Sequence, residues 1–187
     1  MSKQRDISII FIIILVFSAG WIAYSAINYS NPITNFEAPF PGFDAPQFSV
    51  SDSAGTIINS SNFHGKPVLL FSWTSWCPIC KSVMPNLQEV YLEFQKNDIQ
   101  IMAVNISLQD QVEVAQEYAA ENQFSFPIYY DLSGNVLNNY NLRGFPTTFF
   151  INSEGIIIEQ LVGGGLSTAY LLSQISILQG INYVSNH

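Results

Sequence analysis

The sequence is poor in cysteine, histidine and charge. Its 187 residues include two cysteines, two histidines and six Lys and Arg residues, and only 11% of the chain is charged. Four of the six basic residues but thirteen of the fourteen acidic ones follow position 28, so most of the chain is strongly acidic. Such a chain cannot neutralise phosphates, which argues against nucleic acid as a partner. So few cysteines and histidines make a poor ligand set, and no metal site is predicted.

One long uncharged run lies near the start of the chain. Residues 7–27 contain no charged residue and are rich in Ile, Phe, Leu and Val. As a helix they would span roughly 31 Å, against about 30 Å for the hydrocarbon core of a bilayer. Lys3 and Arg5 precede the run, and the positive-inside rule then places residues 1–6 in the cytoplasm. The prediction is a single-pass anchor over 7–27 in a bacterial-type cell membrane, with the remaining chain on the outer side.

A cleaved signal peptide is the alternative interpretation of this run. The small residues around Ala23-Tyr24-Ser25 offer a cleavage site, but the apolar run is longer than a secretion signal needs. A retained anchor is therefore favoured, and either interpretation exports the rest of the chain.

Residues 28–45 are rich in proline and asparagine and show no periodicity, which predicts an extended tether between the anchor and a folded domain at 46–187. The alternative is a segment that packs on the domain through Phe36, Phe40 and Phe43, because aromatic residues are unusual in a solvated linker.

Hydrophobic patterns in residues 46–187 predict strands that alternate with helices. A hairpin comes first, at 47–50 and 56–58. Further strands are predicted at 67–73, 99–106, 126–130, 147–152 and 156–162, and helices at 82–96, 109–122, 135–140 and 167–179. This order indicates an α/β fold, a three-layer α/β/α sandwich with a mixed sheet and an N-terminal hairpin.

The two cysteines, Cys77 and Cys80, form a Cys-x-x-Cys motif between a predicted buried strand and a predicted helix. A disulfide at this spacing closes a very short loop and adds little stability, so a redox role is the better explanation. Unpaired N–H groups at a helix N-terminus favour a thiolate, and Lys81 adds a positive charge nearby. Cys77 is the candidate nucleophile, with Pro78 fixing φ at an early helical position. Cys80 is the candidate resolving cysteine.

Several motifs resemble those of the thioredoxin superfamily, and within it the membrane-anchored TlpA/ResA-like thiol–disulfide oxidoreductases. The Trp73-Thr74-Ser75-Trp76-Cys77-Pro78-Ile79-Cys80 segment is similar to the family's W-x-x-W-C-x-x-C motif. Pro85 has the family's spacing from the first cysteine, and Gly144-Phe145-Pro146-Thr147-Thr148-Phe149 resembles the family's cis-proline loop. Gly155 and the glycines at 163–165 fit the last hairpin, and residues 105–140 resemble the helix–strand insertion of this class.

The resemblance implies a set of substrate-binding residues around the dithiol. Pro146 is expected to be cis and to face the cysteines, and the backbone of Phe145 is expected to pair with a substrate chain. Trp76 and Pro78 would lie beside the reactive sulfur. No cofactor is implied beyond the redox-active Cys77–Cys80 disulfide, and the implied partners are a disulfide-containing protein and an upstream membrane thiol donor.

The chain departs from its relatives in its acidic residues. Thioredoxin has a buried acid six residues before the nucleophile, and this chain has Phe71 there. ResA-like members have Glu between the cysteines, where this chain has Pro78 and Ile79. Asp110 and a water molecule are the remaining candidates for a base that deprotonates Cys80.

The function predicted from these features is an extracytoplasmic reductase of protein disulfides, with the cysteines of an apocytochrome c as one possible substrate. A peroxiredoxin-like peroxidase is an alternative: Thr74 lies three residues before Cys77 as that chemistry requires, but Leu70 replaces the expected proline and only Arg143 could activate a peroxide. A copper-delivery factor is a second alternative, although such proteins use Cys-x-x-x-Cys and a distant histidine.

Overall fold

The computed structural model describes residues 13–22, 24, 36–94 and 99–180. The chain divides between residues 35 and 36 into two units. In the first unit, residues 13–22 and 24 are helical, while the rest of the predicted anchor at 7–27, the cytoplasmic segment at 1–6 and residues 28–35 lie outside the described residues. Within the described part of the chain, no helix combines the length and the apolar character needed to cross a membrane.

The second unit is built on one mixed sheet of seven strands. The strands are β1 (Ser49–Ser51), β2 (Ile57–Asn59), β3 (Val68–Trp73), β4 (Gln100–Asn105), β5 (Ile128–Tyr130), β6 (Thr147–Ile151) and β7 (Ile157–Val162). Their order across the sheet is β2-β1-β5-β4-β3-β6-β7. Strands β3, β4 and β5 are parallel, and the other neighbouring pairs are antiparallel. The predicted hairpin, β1–β2, joins this sheet through β5.

Four helices complete the described part of the second unit, namely α1 (Pro78–Phe94), α2 (Val112–Glu121), α3 (Asn135–Asn139) and α4 (Thr168–Leu178). Short 3-10 turns occupy Ser60–Phe63 and Ser107–Gln109. Strand β3 is buried along its whole length because helices cover both faces of the sheet. One core contains residues from α1, α2 and α4, and the opposite core contains residues from α3. The predicted α/β fold with a mixed sheet is therefore confirmed.

The element boundaries differ from the predicted ones where polar or proline residues intervene. Helix α1 begins at Pro78 rather than at residue 82, because a proline is well suited to the first helical position. Helix α2 begins at Val112 rather than at residue 109, because the preceding 3-10 turn and Asp110 occupy the predicted first turn. Strand β5 begins only after Pro127, which has no N–H to donate to a ladder.

Residues 36–45, which fall in the predicted tether, belong to the second unit. The N–H of Gly42 and the carbonyl of Phe43 bond Ile157 at 2.8 and 2.9 Å, and the N–H of Ala45 donates to Gly155 at 2.8 Å. These bonds cover the start of the free edge of β7. Attachment is through the backbone, since Phe36, Phe40 and Phe43 remain exposed. Because β6 is antiparallel to β3, this attachment lies at the end of the sheet opposite Trp73 and the cysteines.

Candidate functional site

Cys77 lies at the N-cap position of helix α1. A turn after β3 brings the N–H of Cys77 to within 3.2 Å of the carbonyl of Thr74, and Pro78 then starts the helix. The Cys77 carbonyl accepts the first helical bond, from Lys81, and its sulfur accepts the N–H of Cys80 at 3.0 Å. A capping side chain normally accepts this third N–H through oxygen. The sulfur of Cys77 therefore occupies a position where backbone N–H groups and the helix dipole favour negative charge.

Cys77 and Cys80 form a disulfide, with their Cα atoms 5.2 Å apart. Cys77 is 3% exposed and Cys80 is completely buried. This difference in exposure fits the predicted order of roles, in which Cys77 meets the substrate and Cys80 resolves the mixed disulfide.

The proline loop lies beside the dithiol. The Phe145–Pro146 bond is cis. The Phe145 ring packs edge-to-face against Trp76, with ring centroids 6.0 Å apart. The carbonyl of Pro146 accepts the N–H of Gly163 at 2.8 Å, and the hydroxyl of Ser72 bridges to both backbone groups of Thr147. Hydrogen bonds to β3 and to the end of β7 thus hold the loop on both sides.

The glycines after β7 allow this close packing. Gly163 has φ of +97°, a left-handed conformation that side chains disfavour. A Cβ on Gly164 would lie 2.7 Å from a methyl group of Ile79. Ile79, one of the two residues between the cysteines, therefore packs directly onto the backbone at position 164.

Asp110 holds the turn that carries Trp76 and Cys77. Its carboxylate accepts hydrogen bonds from the backbone N–H of Ser75, from the Ser75 hydroxyl at 2.5 Å, from the Asn105 amide at 2.6 Å and from the Gln111 N–H at 2.8 Å. Ser75 and Asn105 are buried. Cys80 is not among these partners, so the hydrogen bonds make Asp110 a positioning residue and give no support to its predicted role as a base.

A shallow depression of about 570 Å³ lies beside the turn that carries Trp76 and Cys77. Its lining comprises Ser75, Trp76, Leu108, Gln109, Asp110, Gln111 and Val114. The indole N–H of Trp76 donates to the carbonyl of Gln109 at 2.7 Å, while its ring remains 59% exposed. The ring is thus fixed in place yet available to a partner.

Lys81 is oriented toward helix α2. Its ammonium group lies 4.6 Å from the centroid of the Tyr118 ring, a cation–π contact. Burial raises the pKa of Tyr118, so the phenol stays neutral at physiological pH. Part of the positive charge predicted to favour the Cys77 thiolate is therefore engaged with an aromatic face.

The structure brings together Cys77, Cys80, Trp76, Pro78 and the Phe145–Pro146 loop. The sequence analysis missed the contact of Ile79 with Gly164 and the hydrogen bonds of Ser75 with Asp110. The sequence did contain a signal for the role of Asp110. This carboxylate follows strand β4 closely, at the end of the sheet where the cysteines also lie. Among the described residues, no group of three or more His, Cys, Asp or Glu side chains is arranged to hold a metal ion.

Comparison with known proteins places this geometry among redox proteins. The sequence profile of the AhpC/TSA family matches residues 41–160. The thiol-disulfide oxidoreductase ResA of Geobacillus kaustophilus is 34% identical over 87% of this chain and 91% of its own. ResA of Bacillus subtilis is 30% identical over 87% and 88%. The crystal structure of StoA from Bacillus subtilis matches with a TM-score of 0.62 at 27% identity, covering 70% of this chain and 96% of StoA.

Proposed function

The chain belongs to the AhpC/TSA family and is a thiol–disulfide oxidoreductase, and we propose that it reduces disulfides of protein substrates outside the cytoplasm. In this proposal residues 7–27 anchor it in the cell membrane, and a membrane thiol donor returns it to the dithiol form.

The reaction is a two-step exchange between the dithiol and a substrate disulfide. The Cys77 thiolate attacks one substrate sulfur, forms a mixed disulfide and releases the other substrate sulfur as a thiolate. Cys80, as its thiolate, then attacks the Cys77 sulfur and releases the second substrate thiolate. The substrate gains two electrons and the enzyme loses two, which leaves the Cys77–Cys80 disulfide seen in the structure.

The observation that carries the proposal is the apolar surface around an almost buried sulfur. Trp76, Ile79 and Val162 are 59%, 49% and 63% exposed, although Cys77 itself is only 3% exposed. Exposed apolar groups close to a reactive residue and its proline loop are typical of an interaction surface. Such a surface favours a polypeptide substrate, which can cover the apolar groups while its disulfide reaches Cys77.

Among polypeptides, we propose the paired haem-attachment cysteines of an apocytochrome c as the substrate. This finer proposal is supported by the Cys77-Pro78-Ile79-Cys80 motif, which resembles the Cys-Pro-x-Cys of cytochrome-c-maturation reductases. The lack of a cationic residue between the cysteines favours the reducing direction.

The location can be tested with a single engineered thiol. The chain carrying Cys77→Ser, Cys80→Ser and Glu154→Cys presents one cysteine on an exposed hairpin turn. We expect a membrane-impermeant maleimide to label it in intact protoplasts, with the protein in the membrane fraction. A matched protein without residues 7–27 should remain inside and unlabelled. Labelling of the full chain only after lysis would contradict an extracytoplasmic location.

Replacement of Trp76 by Ala tests the protein-substrate proposal. We expect kcat/KM for insulin reduction to fall about tenfold, because a rigid exposed aromatic ring is a typical interaction hot spot. The fall for a small disulfide such as hydroxyethyl disulfide should be much smaller, since that substrate cannot cover the indole.

Leu92→Ala is the matched control for this measurement. Leu92 is 58% exposed on the same helix but lies near its far end, so the variant should lose no activity with either substrate. An equal loss for insulin and for the small disulfide in Trp76→Ala would show that the ring serves the chemistry and not the binding of protein.

A further inference from the structure

Thr148 carries a buried hydroxyl without a hydrogen-bond partner. Residue Thr148 is 0% exposed, and its Oγ1 atom bonds no group among the described residues. An unsatisfied buried hydroxyl costs free energy, so such groups call for an explanation. The described residues contain four other buried side chains with an unpaired polar atom, namely Trp73, Thr74, Asp131 and Tyr140.

The sheet register shows which way Thr148 points. In β6 it lies directly opposite Phe71 of β3, and on its other side it lies opposite Leu161 of β7. Directly opposed residues project from the same face of an antiparallel pair. Phe71 belongs to the core that contains Cys77 and Cys80, and Leu161 packs against that core. The Thr148 hydroxyl therefore faces the layer beneath helix α1, where the dithiol lies.

In this layer, the sulfur of Cys80 lacks a hydrogen-bond donor. Among the described residues, the Cys77 sulfur accepts the N–H of Cys80, whereas the Cys80 sulfur accepts no hydrogen bond. In the disulfide this has little consequence, because a disulfide sulfur is a poor acceptor. After reduction, Cys80 becomes a free thiol or thiolate in a buried site, and a thiolate there is costly without a donor.

The one fully buried carboxyl group among the described residues, Asp131, accepts the N–H of Leu137 in α3, which packs on the core opposite Cys80. Phe71 replaces the acid found in thioredoxin, and Asp110 is engaged with Ser75, Asn105 and Gln111. The hydroxyl of Thr148 lies opposite Phe71, one strand away from the missing acid. A threonine hydroxyl can donate to a thiolate or accept from a thiol.

We propose that the Thr148 hydroxyl is the hydrogen-bond partner of Cys80 in the reduced enzyme. When the Cys77–Cys80 bond breaks, the Cys80 sulfur can rotate about its Cα–Cβ bond and meet this hydroxyl. Thr148 thus stabilises the dithiol form and the thiolate that resolves the mixed disulfide. The inference depends on the dithiol chemistry alone and holds for either direction of exchange.

The proposal predicts a shift in the redox equilibrium. Two glutathione thiols reduce the Cys77–Cys80 disulfide, and they supply two electrons and two protons as they form glutathione disulfide. Thr148→Val keeps the side-chain shape but removes the hydroxyl. We expect the equilibrium constant for reduction to fall about tenfold, which corresponds to a potential lower by about 30 mV. The oxidised variant should unfold at a higher temperature than the oxidised wild type, because an unsatisfied group is gone.

Tyr140→Phe is the matched control. The Tyr140 hydroxyl is also buried and unpartnered, but it belongs to the core on the opposite face of the sheet. Its removal should raise the unfolding temperature of both redox forms alike and leave the glutathione equilibrium unchanged. Thr148→Ser, which retains a hydroxyl, should keep the wild-type equilibrium, and Thr148→Ala should shift it as Thr148→Val does.

Two results would overturn the proposal. One is a glutathione equilibrium within twofold of the wild type in every Thr148 variant without a hydroxyl that folds, whether Thr148→Val or Thr148→Ala. The other is a shift that appears in Thr74→Val and not in either Thr148 variant, since Thr74 also carries an unpaired buried hydroxyl and precedes the cysteine turn. The Thr148→Ala measurement keeps the test decisive if Thr148→Val fails to fold.

Discussion

Replacement of Cys77 by Ser is expected to reduce insulin disulfide reduction to the rate without enzyme. Cys77 occupies the N-cap of α1, where the N–H of Cys80 already points at its sulfur, and it is the less buried of the two cysteines. A serine at this position can still accept that hydrogen bond, so the fold should be retained. Its hydroxyl is not ionised at neutral pH and cannot form a mixed disulfide. The measurement is insulin turbidity with dithiothreitol as the reductant.

Cys80→Ser provides the complementary variant. Cys77 remains able to attack, but no second thiol can release the substrate, so a mixed disulfide should accumulate. Its isolation from cells expressing the full chain, followed by mass spectrometry, would identify the natural substrate. Activity that persists in Cys77→Ser at more than a small fraction of the wild-type rate would exclude Cys77 as the nucleophile. Trapping in Cys77→Ser in place of Cys80→Ser would reverse the two roles.

Asp110→Ala is expected to cost about 2–4 kcal/mol of stability, the largest effect we predict for a residue outside the dithiol. The change leaves the Ser75 backbone and hydroxyl groups and the Asn105 amide without their shared acceptor, and both residues are buried. For a domain of this size the melting temperature should fall by roughly 5–15 °C. Insulin reduction measured well below that temperature should also slow, because the Ser75 turn carries Trp76 and Cys77.

The control for Asp110→Ala is Glu117→Ala, which removes one carboxylate from the exposed face of the adjacent helix α2. It changes the net charge by the same amount and should shift the melting temperature by no more than a degree or two. Equal melting temperatures for the two variants would show that the hydrogen bonds of Asp110 do not stabilise the turn.

The predictable parts of the site were those that a local pattern specifies. Cys77 and Cys80 are the only two cysteines in the sequence, and they lie between an apolar segment and an amphipathic segment. Pro146 follows an aromatic residue just before a predicted strand. Each feature can be recognised within about ten residues of sequence. The fold class could be inferred for the same reason, because alternating strands and helices are typical of a layered α/β fold.

The contacts that could not be predicted join residues that are distant in sequence. Ser75 and Asp110 are 35 positions apart, and their bond depends on where the turn after β4 lies relative to the turn after β3. The contact of Ile79 with Gly164 depends on how β7 ends beside the helix. The placement of Thr148 opposite Phe71 depends on the register of two strands far apart in the chain, and a shift by one residue would turn its side chain to the other face.

The attachment of residues 42–45 to the hairpin between β6 and β7 affects how the enzyme can meet a bulky substrate. The dithiol lies at the Thr147 end of β6, and the chain joins the sheet at the Ile151 end, about 17 Å away for five residues of extended strand. In the proposed arrangement, with residues 7–27 in the membrane, the protein is attached at the end of the sheet remote from the reactive sulfur. In that arrangement a large folded partner could dock on Trp76 and Ile79 without first displacing residues 42–45 from the hairpin.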